Sequence, residues 1–188
     1  MYEQFKLRAE GVGAEVYRLA TMASAGEFVR EFMQKEGGAG VCASAGLKYA
    51  LERSGAAAIN GLSFDVTREA AAEALIGITE MEWALADTGS LVADQTAVEE
   101  RLASTLPSIH IALIGSEKIL PGKAALFTLI DPRASRYIAF ITGPSRTADI
   151  ERVLTIGVHG PKRLVILFVD DVKTAVDDHL RSCTAQFL

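Results

Sequence analysis

The turn from Gly143 to Thr147 carries residue types that suit the binding of an anion. Its sequence is Gly-Pro-Ser-Arg-Thr; it follows an apolar run at residues 137–141 and leads into a helical pattern. A helix that begins behind Ser145 and Thr147 leaves backbone N–H groups unpaired at its positive end. Together with the Arg146 guanidinium, those groups would bind an anion. The alternative is that Ser145 or Thr147 only caps the helix and that Arg146 lies on the surface.

A second polar cluster, Asp-Thr-Gly-Ser, occupies residues 87–90 between two short apolar segments. The segments, residues 83–86 and 90–93, are close enough to pair as a β-hairpin with Gly89 in a left-handed conformation. The same four residues occur in aspartic proteases, whose chemistry needs two adjacent carboxylates. This cluster occurs once in a chain without an all-β pattern, so a turn in which Asp87 bonds the backbone is favoured. The binding residues predicted here are Thr88, Gly89 and Ser90.

The three histidines are His110, His159 and His179. His110 opens one predicted strand, and His159 lies in a Gly-Val-His-Gly-Pro loop before another. In a parallel sheet both would lie at the edge opposite Ser145, which follows a strand. They could share a site with Ser145 only if one strand is reversed or a second chain contributes. His159 is the better functional candidate, with a histidine that bonds turn backbone as the alternative. His179 is interpreted as a surface residue.

The cysteines and glycines indicate no cofactor. Cys42 and Cys183 are the two cysteines, and without a Cys-x-x-Cys they cannot hold a typical iron–sulfur cluster or structural zinc. Cys42 lies in an apolar run and is interpreted as core. Gly11 and Gly13 precede a strand rather than follow one, and neither a P-loop nor a Gly-x-Ser-x-Gly elbow occurs. The sequence therefore predicts no cofactor and no metal, and it identifies no catalytic residue.

Bulk properties exclude several classes of function. A chain of 188 residues fits one domain, residues 1–188. The formal net charge is −5 and no basic run occurs, which argues against a nucleic-acid partner. The best apolar run, residues 164–169, is far shorter than the roughly 18 residues of a membrane span. No secretory pattern opens the chain, so we expect a cytoplasmic protein without a membrane partner.

Helical and strand-like segments alternate along the chain, which predicts an α/β three-layer sandwich with a mostly parallel sheet and a β-hairpin insertion. Three continuous apolar runs predict strands covered on both faces: residues 109–114, 137–141 and 164–169. Other strands are predicted at residues 14–19, 40–43 and 56–59. A helix is predicted from a capping box of Ser24 and Glu27 to Gly37. Further helices are expected around residues 47–54, 67–75, 95–105, 122–129, 147–154 and 172–183.

Four blocks in order, at residues 86–92, 106–111, 141–151 and 157–161, resemble the lactate-utilization protein C family, the family of the LUD domain, also called YkgG. Residues 13–18 are similar to the first strand of that family. The resemblance implies a fold akin to that of the NagB/RpiA sugar-phosphate isomerases and CoA-transferases. It also implies a role in a three-protein system that oxidises L-lactate to pyruvate, with the iron–sulfur clusters on the partner proteins. No catalytic residue comes with the family.

Two functions are weighed from these observations. The first is a non-redox subunit of an iron–sulfur L-lactate-oxidising system, whose partners are the iron–sulfur subunits. The second is a stand-alone enzyme or binding module for a small anionic metabolite, phosphorylated or carboxylate. A purely structural partner-binding domain and self-association into a homo-oligomer stay open. The predicted substrate-binding residues are Thr88, Gly89, Ser90, Gly143, Ser145, Arg146, Thr147 and His159.

Overall fold

A six-stranded parallel sheet forms the centre of the molecule. The computed structural model describes residues 1–53, 58–147 and 155–171. Numbered in chain order, the strands lie side by side as β1 (Glu15–Thr21), β12 (Arg163–Asp171), β7 (Ile109–Gly115), β4 (Ile76–Glu80), β2 (Gly40–Cys42) and β3 (Leu62–Ser63). Each neighbouring pair is parallel. The predicted α/β class with a mostly parallel central sheet is confirmed.

The two faces of this sheet bury alternate side chains. In β12, Leu164, Ile166 and Phe168 enter one core, and the residues between them enter the other. The first face is covered by α1 (Tyr2–Gly11) and by a second sheet, with α4 (Arg68–Glu73) and α5 (Val98–Thr105) further along. The second face is covered by α2 (Met22–Glu36) and α3 (Ala45–Arg53). Because both faces are covered, the apolar runs at residues 109–114 and 164–169 are continuous, as predicted.

The second sheet holds the predicted hairpin. Its strands lie in the order β8 (Ile119–Leu120), β5 (Trp83–Leu85), β6 (Ser90–Asp94) and β9 (Ile138–Ile141). β5 and β6 are antiparallel, and Gly89 between them has a φ of 68°, so the hairpin and its left-handed glycine are confirmed. The hairpin belongs to this separate sheet rather than to the parallel one. The helix α6 (Lys123–Leu129) follows β8.

The strand predicted at residues 137–141 is not buried on both faces. β9 is an edge strand that pairs with β6 in antiparallel orientation. Tyr137 is 51% exposed and Phe140 is 40% exposed. The prediction was wrong because an apolar run by itself does not distinguish a strand covered on both faces from an edge strand that lines a cavity.

Three other local predictions differ from the structure. Arg146–Thr147 form a short strand, β10, which pairs with β11 (Thr155–Ile156), so no helix begins at Thr147. The remainder of that predicted helix lies outside the described residues, as do the helix at residues 172–183, His179 and Cys183. The strand expected at residues 56–59 is not found at Ala58 and Ile59, the two of these residues that the structure describes; the nearby strand is β3, at Leu62–Ser63.

The start of α2 also lies earlier than predicted. Thr21 is its N-cap, because the Thr21 Oγ1 accepts a hydrogen bond of 3.1 Å from the Ser24 backbone N–H. The expected capping box of Ser24 and Glu27 is therefore wrong, whereas the end of the helix at Gly37, with a φ of 73°, is confirmed. In the part of the chain that the structure describes, no helix has the length and apolar character needed to cross a membrane.

Candidate functional site

A cavity of about 440 Å³ opens between the parallel sheet and the edge strand β9. It lies at the amino-terminal ends of β7 and β12, where it is lined by His110 and Leu164. The turn after β9 and the loop before β12 complete its wall. The polar side chains that line it include Gln95, Ser104, His110, Ser145 and His159.

Ser145 reaches this edge because β9 belongs to the second sheet. Gly143, with a φ of 70°, turns the chain after β9, and a Cβ added there would lie 2.7 Å from the Val12 carbonyl oxygen. The Ser145 N–H then donates to the Pro161 carbonyl at 2.8 Å, and the Gly157 N–H donates to the Ser145 carbonyl at 2.9 Å. These two hydrogen bonds fix the turn against the histidine loop. From the sequence, Ser145 and His159 could share a site only if one strand was reversed or a second chain contributed. They meet within one chain because β9, which leads to Ser145, lies outside the parallel sheet.

His159 lies on the loop that these hydrogen bonds hold. The side chain is exposed, and it lines the same cavity as Ser145. A Cβ added at Gly160 would lie 3.1 Å from the Ser145 Cβ, so the loop and the turn are in close contact. Three of the predicted binding residues, Gly143, Ser145 and His159, therefore meet at one cavity.

His110 is a cavity residue that the predicted binding set did not include. Its ring is 1% exposed, and its Nε2 lies 2.8 Å from the Thr79 Oγ1 on the neighbouring strand β4. Burial lowers the pKa of His110 to about 4, because the charged ring cannot be solvated there. The imidazole is consequently neutral at physiological pH. The sequence feature that could have identified this residue is a histidine within an otherwise apolar predicted strand, residues 109–114.

Gln95 and Ser104 form a second buried polar pair at the cavity. The Gln95 Nε2 donates to the Ser104 Oγ at 2.9 Å, and that hydroxyl donates to the Arg101 carbonyl at 3.2 Å. Both side chains are less than 5% exposed. The Gln95 backbone N–H donates to the Tyr137 carbonyl at 2.9 Å, which ties the pair to the residue just before β9. No local sequence motif marks these residues, because they reach the cavity through the packing of α5 on β4 and β7 and the hydrogen bond from Gln95 to Tyr137.

The hairpin residues lie behind the cavity wall. The Ser90 Oγ donates to the Thr88 Oγ1 at 2.8 Å and lies 2.7 Å from the Thr142 Oγ1, and Thr142 lines the cavity. Gly89 instead faces α1, since a Cβ added there would lie 2.4 Å from the Ala9 backbone nitrogen. Thr88 and Ser90 thus connect to the cavity through Thr142.

Arg146 and Thr147 lie beside the cavity rather than on its lining. The Arg146 guanidinium donates to the Val12 carbonyl at the end of α1, and the side chain is exposed. Thr147 is part of β10. The described residues that line the cavity include no Lys, Arg, Asp or Glu, so the lining offers hydrogen-bonding groups rather than fixed charge. The role of Arg146 and Thr147 in anion binding stays a prediction.

Among the described residues, neither a metal-binding group of side chains nor an accessible thiol is found. Within residues 1–53, 58–147 and 155–171, no three His, Cys, Asp or Glu side chains are grouped so that they could hold a metal ion. Cys42 is 2% exposed, and burial raises the pKa of its thiol to about 12. A thiol so buried is a core residue, as predicted.

Comparison with known proteins gives several relatives. A lactate utilization protein C from Anoxybacillus flavithermus is 37% identical over 114 residues, 57% of this chain and 52% of that protein. The lactate utilization protein C of Bacillus subtilis is 34% identical over 107 residues, 54% of this chain and 45% of that protein. The uncharacterized protein YkgG of Escherichia coli is 34% identical over 107 residues, 54% of this chain and 46% of that protein. The chain spans about half the length of the curated relatives it matches.

The fold and the family have separate support. The crystal structure of a DUF162 family protein from Deinococcus radiodurans superposes with a TM-score of 0.63 at 19% identity, covering 89% of this chain and 95% of that chain. That likeness concerns the fold alone. The LUD domain profile matches residues 2–169, nearly the whole described chain. The chain therefore belongs to the LUD domain family.

Proposed function

We propose that this LUD domain protein acts in lactate utilization, as a non-redox component of an iron–sulfur system that oxidises L-lactate to pyruvate. The observation that carries the proposal is its similarity to proteins named lactate utilization protein C, at 33–37% identity in Bacillus and Anoxybacillus species. The expected cytoplasmic location is part of the proposal.

The non-redox assignment is supported by the cysteines. The chain has two cysteines, and a typical iron–sulfur cluster needs four ligands. Cys42 is enclosed in the core, where the raised pKa of its thiol disfavours the thiolate that ligates iron. The clusters of such a system would therefore belong to partner subunits.

The contribution of this chain would be a binding site for the small carboxylate. The cavity presents hydroxyl and imidazole groups from Ser145 and His159, which can bond a carboxylate oxygen. The same cavity favours the second candidate, a stand-alone binding module for a small anionic metabolite, because pockets of this volume are typical of small-molecule sites.

Growth on L-lactate tests the proposed function. The experiment uses a Bacillus subtilis strain that lacks its own lactate utilization protein C and produces this chain instead. We expect growth to be restored, and Ser145→Ala to grow more slowly because the variant loses a hydroxyl from the cavity. Ser63→Ala is the matched control, since Ser63 lies exposed on β3 and should support growth like the unaltered chain.

Two outcomes contradict parts of this proposal. If the folded chain accumulates in that strain and growth is not restored, the role in lactate oxidation is wrong. The stand-alone module would then be the better description, provided that the cavity binds a metabolite. If Ser145→Ala and Ser63→Ala grow equally well, the hydroxyl of Ser145 has no part in the function.

A further inference from the structure

Two nearly enclosed side chains at the cavity each have one polar atom without a hydrogen-bond partner among the described residues. Gln95 is 2% exposed and His110 is 1% exposed, and both line the cavity. Each uses one polar atom on a neighbour, Ser104 or Thr79. In the described part of the chain, the Gln95 Oε1 and the His110 Nδ1 make no hydrogen bond. Neither atom belongs to the fully buried polar atoms that lack a partner. Because both residues line the cavity, these two atoms are the polar groups left to bond a ligand there.

The orientation of the Gln95 amide follows from the proton of Ser104. The Ser104 hydroxyl donates its only proton to the Arg101 carbonyl, so its oxygen must accept from Gln95. An amide can donate only through its nitrogen, which places Nε2 toward Ser104. The Oε1 is consequently the atom that faces the cavity, as a hydrogen-bond acceptor.

The tautomer of His110 follows from the proton of Thr79 in the same way. Thr79 is fully buried, and across the described residues its hydroxyl has one hydrogen-bond partner, the Nε2 of His110. A buried hydroxyl proton without an acceptor is costly, so the hydroxyl donates and Nε2 accepts. The proton of the neutral ring then lies on Nδ1. The cavity therefore contains an N–H donor from His110 and a carbonyl acceptor from Gln95.

We propose that His110 and Gln95 form a donor–acceptor pair that recognises a small hydroxy acid, with its carboxylate on the Nδ1–H and its hydroxyl on the Oε1. A hydroxy acid carries an acceptor and a donor on adjacent carbons, which is the complement of this pair. The choice of L-lactate as the first probe rests on the proposed function. Thr79 and Ser104 are positioning residues, since each fixes the proton or amide orientation of its partner.

The tautomer can be measured on the unaltered protein. Imidazole ¹⁵N chemical shifts distinguish a proton on Nδ1 from one on Nε2, with His110 assigned by comparison with His159→Gln and His179→Gln chains. We expect the Nδ1–H tautomer at pH 7 and a shift of the Nδ1 resonance when L-lactate is added. An Nε2–H tautomer, or an Nδ1 resonance that L-lactate does not move, overturns the proposal without any variant of a buried residue.

Binding of two matched ligands tests the pair atom by atom. Propionate has the carboxylate of L-lactate without the hydroxyl, so calorimetric titration with both isolates the contact to Gln95. We expect L-lactate to bind about tenfold more tightly than propionate, the worth of one well-made hydrogen bond. Gln95→Leu should bring this ratio close to one. An unchanged ratio in the variant overturns the assignment of Gln95.

A second pair of variants tests His110. His110→Asn places an amide N–H near the position of Nδ1 and should keep most of the affinity for both ligands. His110→Leu removes the donor and should weaken both ligands equally, by about tenfold. Equal affinities in the two variants, or no binding of L-lactate to the unaltered protein, would contradict the proposal. Neither result bears on the growth experiment, so failure of this inference and failure of the proposed function are distinguishable.

Discussion

His110 shows how one enclosed residue connects stability with the cavity. The ring is buried beside Thr79 and no carboxylate of the described residues acts on it, so burial lowers its pKa from 6.5 to about 4. In the unfolded chain the ring regains its ordinary pKa. Between these two values the unfolded state binds a proton that the folded state does not.

This difference predicts a pH-dependent stability. The contribution of His110 is fully present above about pH 6.5 and is lost as the pH falls toward 4, a change of about 3 kcal/mol. Urea unfolding at pH 7.5 and pH 5, compared between the unaltered chain and His110→Asn, isolates this contribution because other titrating groups are shared. The same loss of stability in both chains would mean that His110 is not the group responsible.

At the scale of elements, the contact of α5 with β4 depends on a glycine. A Cβ added at Gly77 would lie 1.8 Å from the Ala103 carbonyl oxygen and 2.8 Å from the Pro107 Cγ. The helix backbone therefore rests directly on the strand. Because α5 also carries Ser104, this close approach helps to set the position of the Gln95 pair at the cavity.

We expect Gly77→Ala to destabilise the protein by about 3 kcal/mol, because helix backbone must move to accommodate one methyl group. Gly11→Ala is the matched control. Nothing lies within 4 Å of its added Cβ at the end of α1, so it should stabilise by about 0.5–1 kcal/mol. Thermal unfolding of both variants checks the pair, and a Gly77→Ala chain as stable as Gly11→Ala would show that α5 is not held so closely.

At the scale of the whole molecule, α1 connects the two sheets. Phe5 is fully buried and packs edge-to-face on Phe168 of β12, with ring centroids 5.1 Å apart. On the next turn of the same helix, Ala9 contacts Gly89 of the hairpin. At its end, the Val12 carbonyl accepts from Arg146 beside the cavity. This helix was not predicted from the sequence, since its ten residues bury only Phe5 and Ala9.

Removal of the Phe5 ring should therefore loosen the contact between the sheets. We expect Phe5→Ala to cost about 3–5 kcal/mol of unfolding free energy, as large-to-small core substitutions do. Leu7→Ala on the same helix should change stability by less than about 0.5 kcal/mol, because Leu7 is 72% exposed. Denaturant unfolding measures both, and similar values for the two variants would show that α1 contributes little to the core.

Local patterns were sufficient to predict much of this fold. The apolar runs that became β7 and β12 lie between two covered faces, and a strand in that setting has no polar face to interrupt its pattern. Asp87 to Ser90 formed the predicted hairpin because left-handed backbone at Gly89 is a local property of glycine. Likewise, Thr67 begins α4 by accepting from the Ala70 N–H, as a capping side chain does.

The composition of the cavity depended on long-range pairing that no local pattern carries. Residues 137–141 and 164–169 are both short apolar runs, yet one forms the edge of the second sheet and the other the middle of the parallel sheet. That difference brings Ser145 to His159 and encloses Gln95 and His110 between the sheets. The sequence by itself determined the buried strands β7 and β12, the hairpin and the family. Only the tertiary structure decided which polar groups meet, because strand partners are chosen by contacts between segments far apart in the chain.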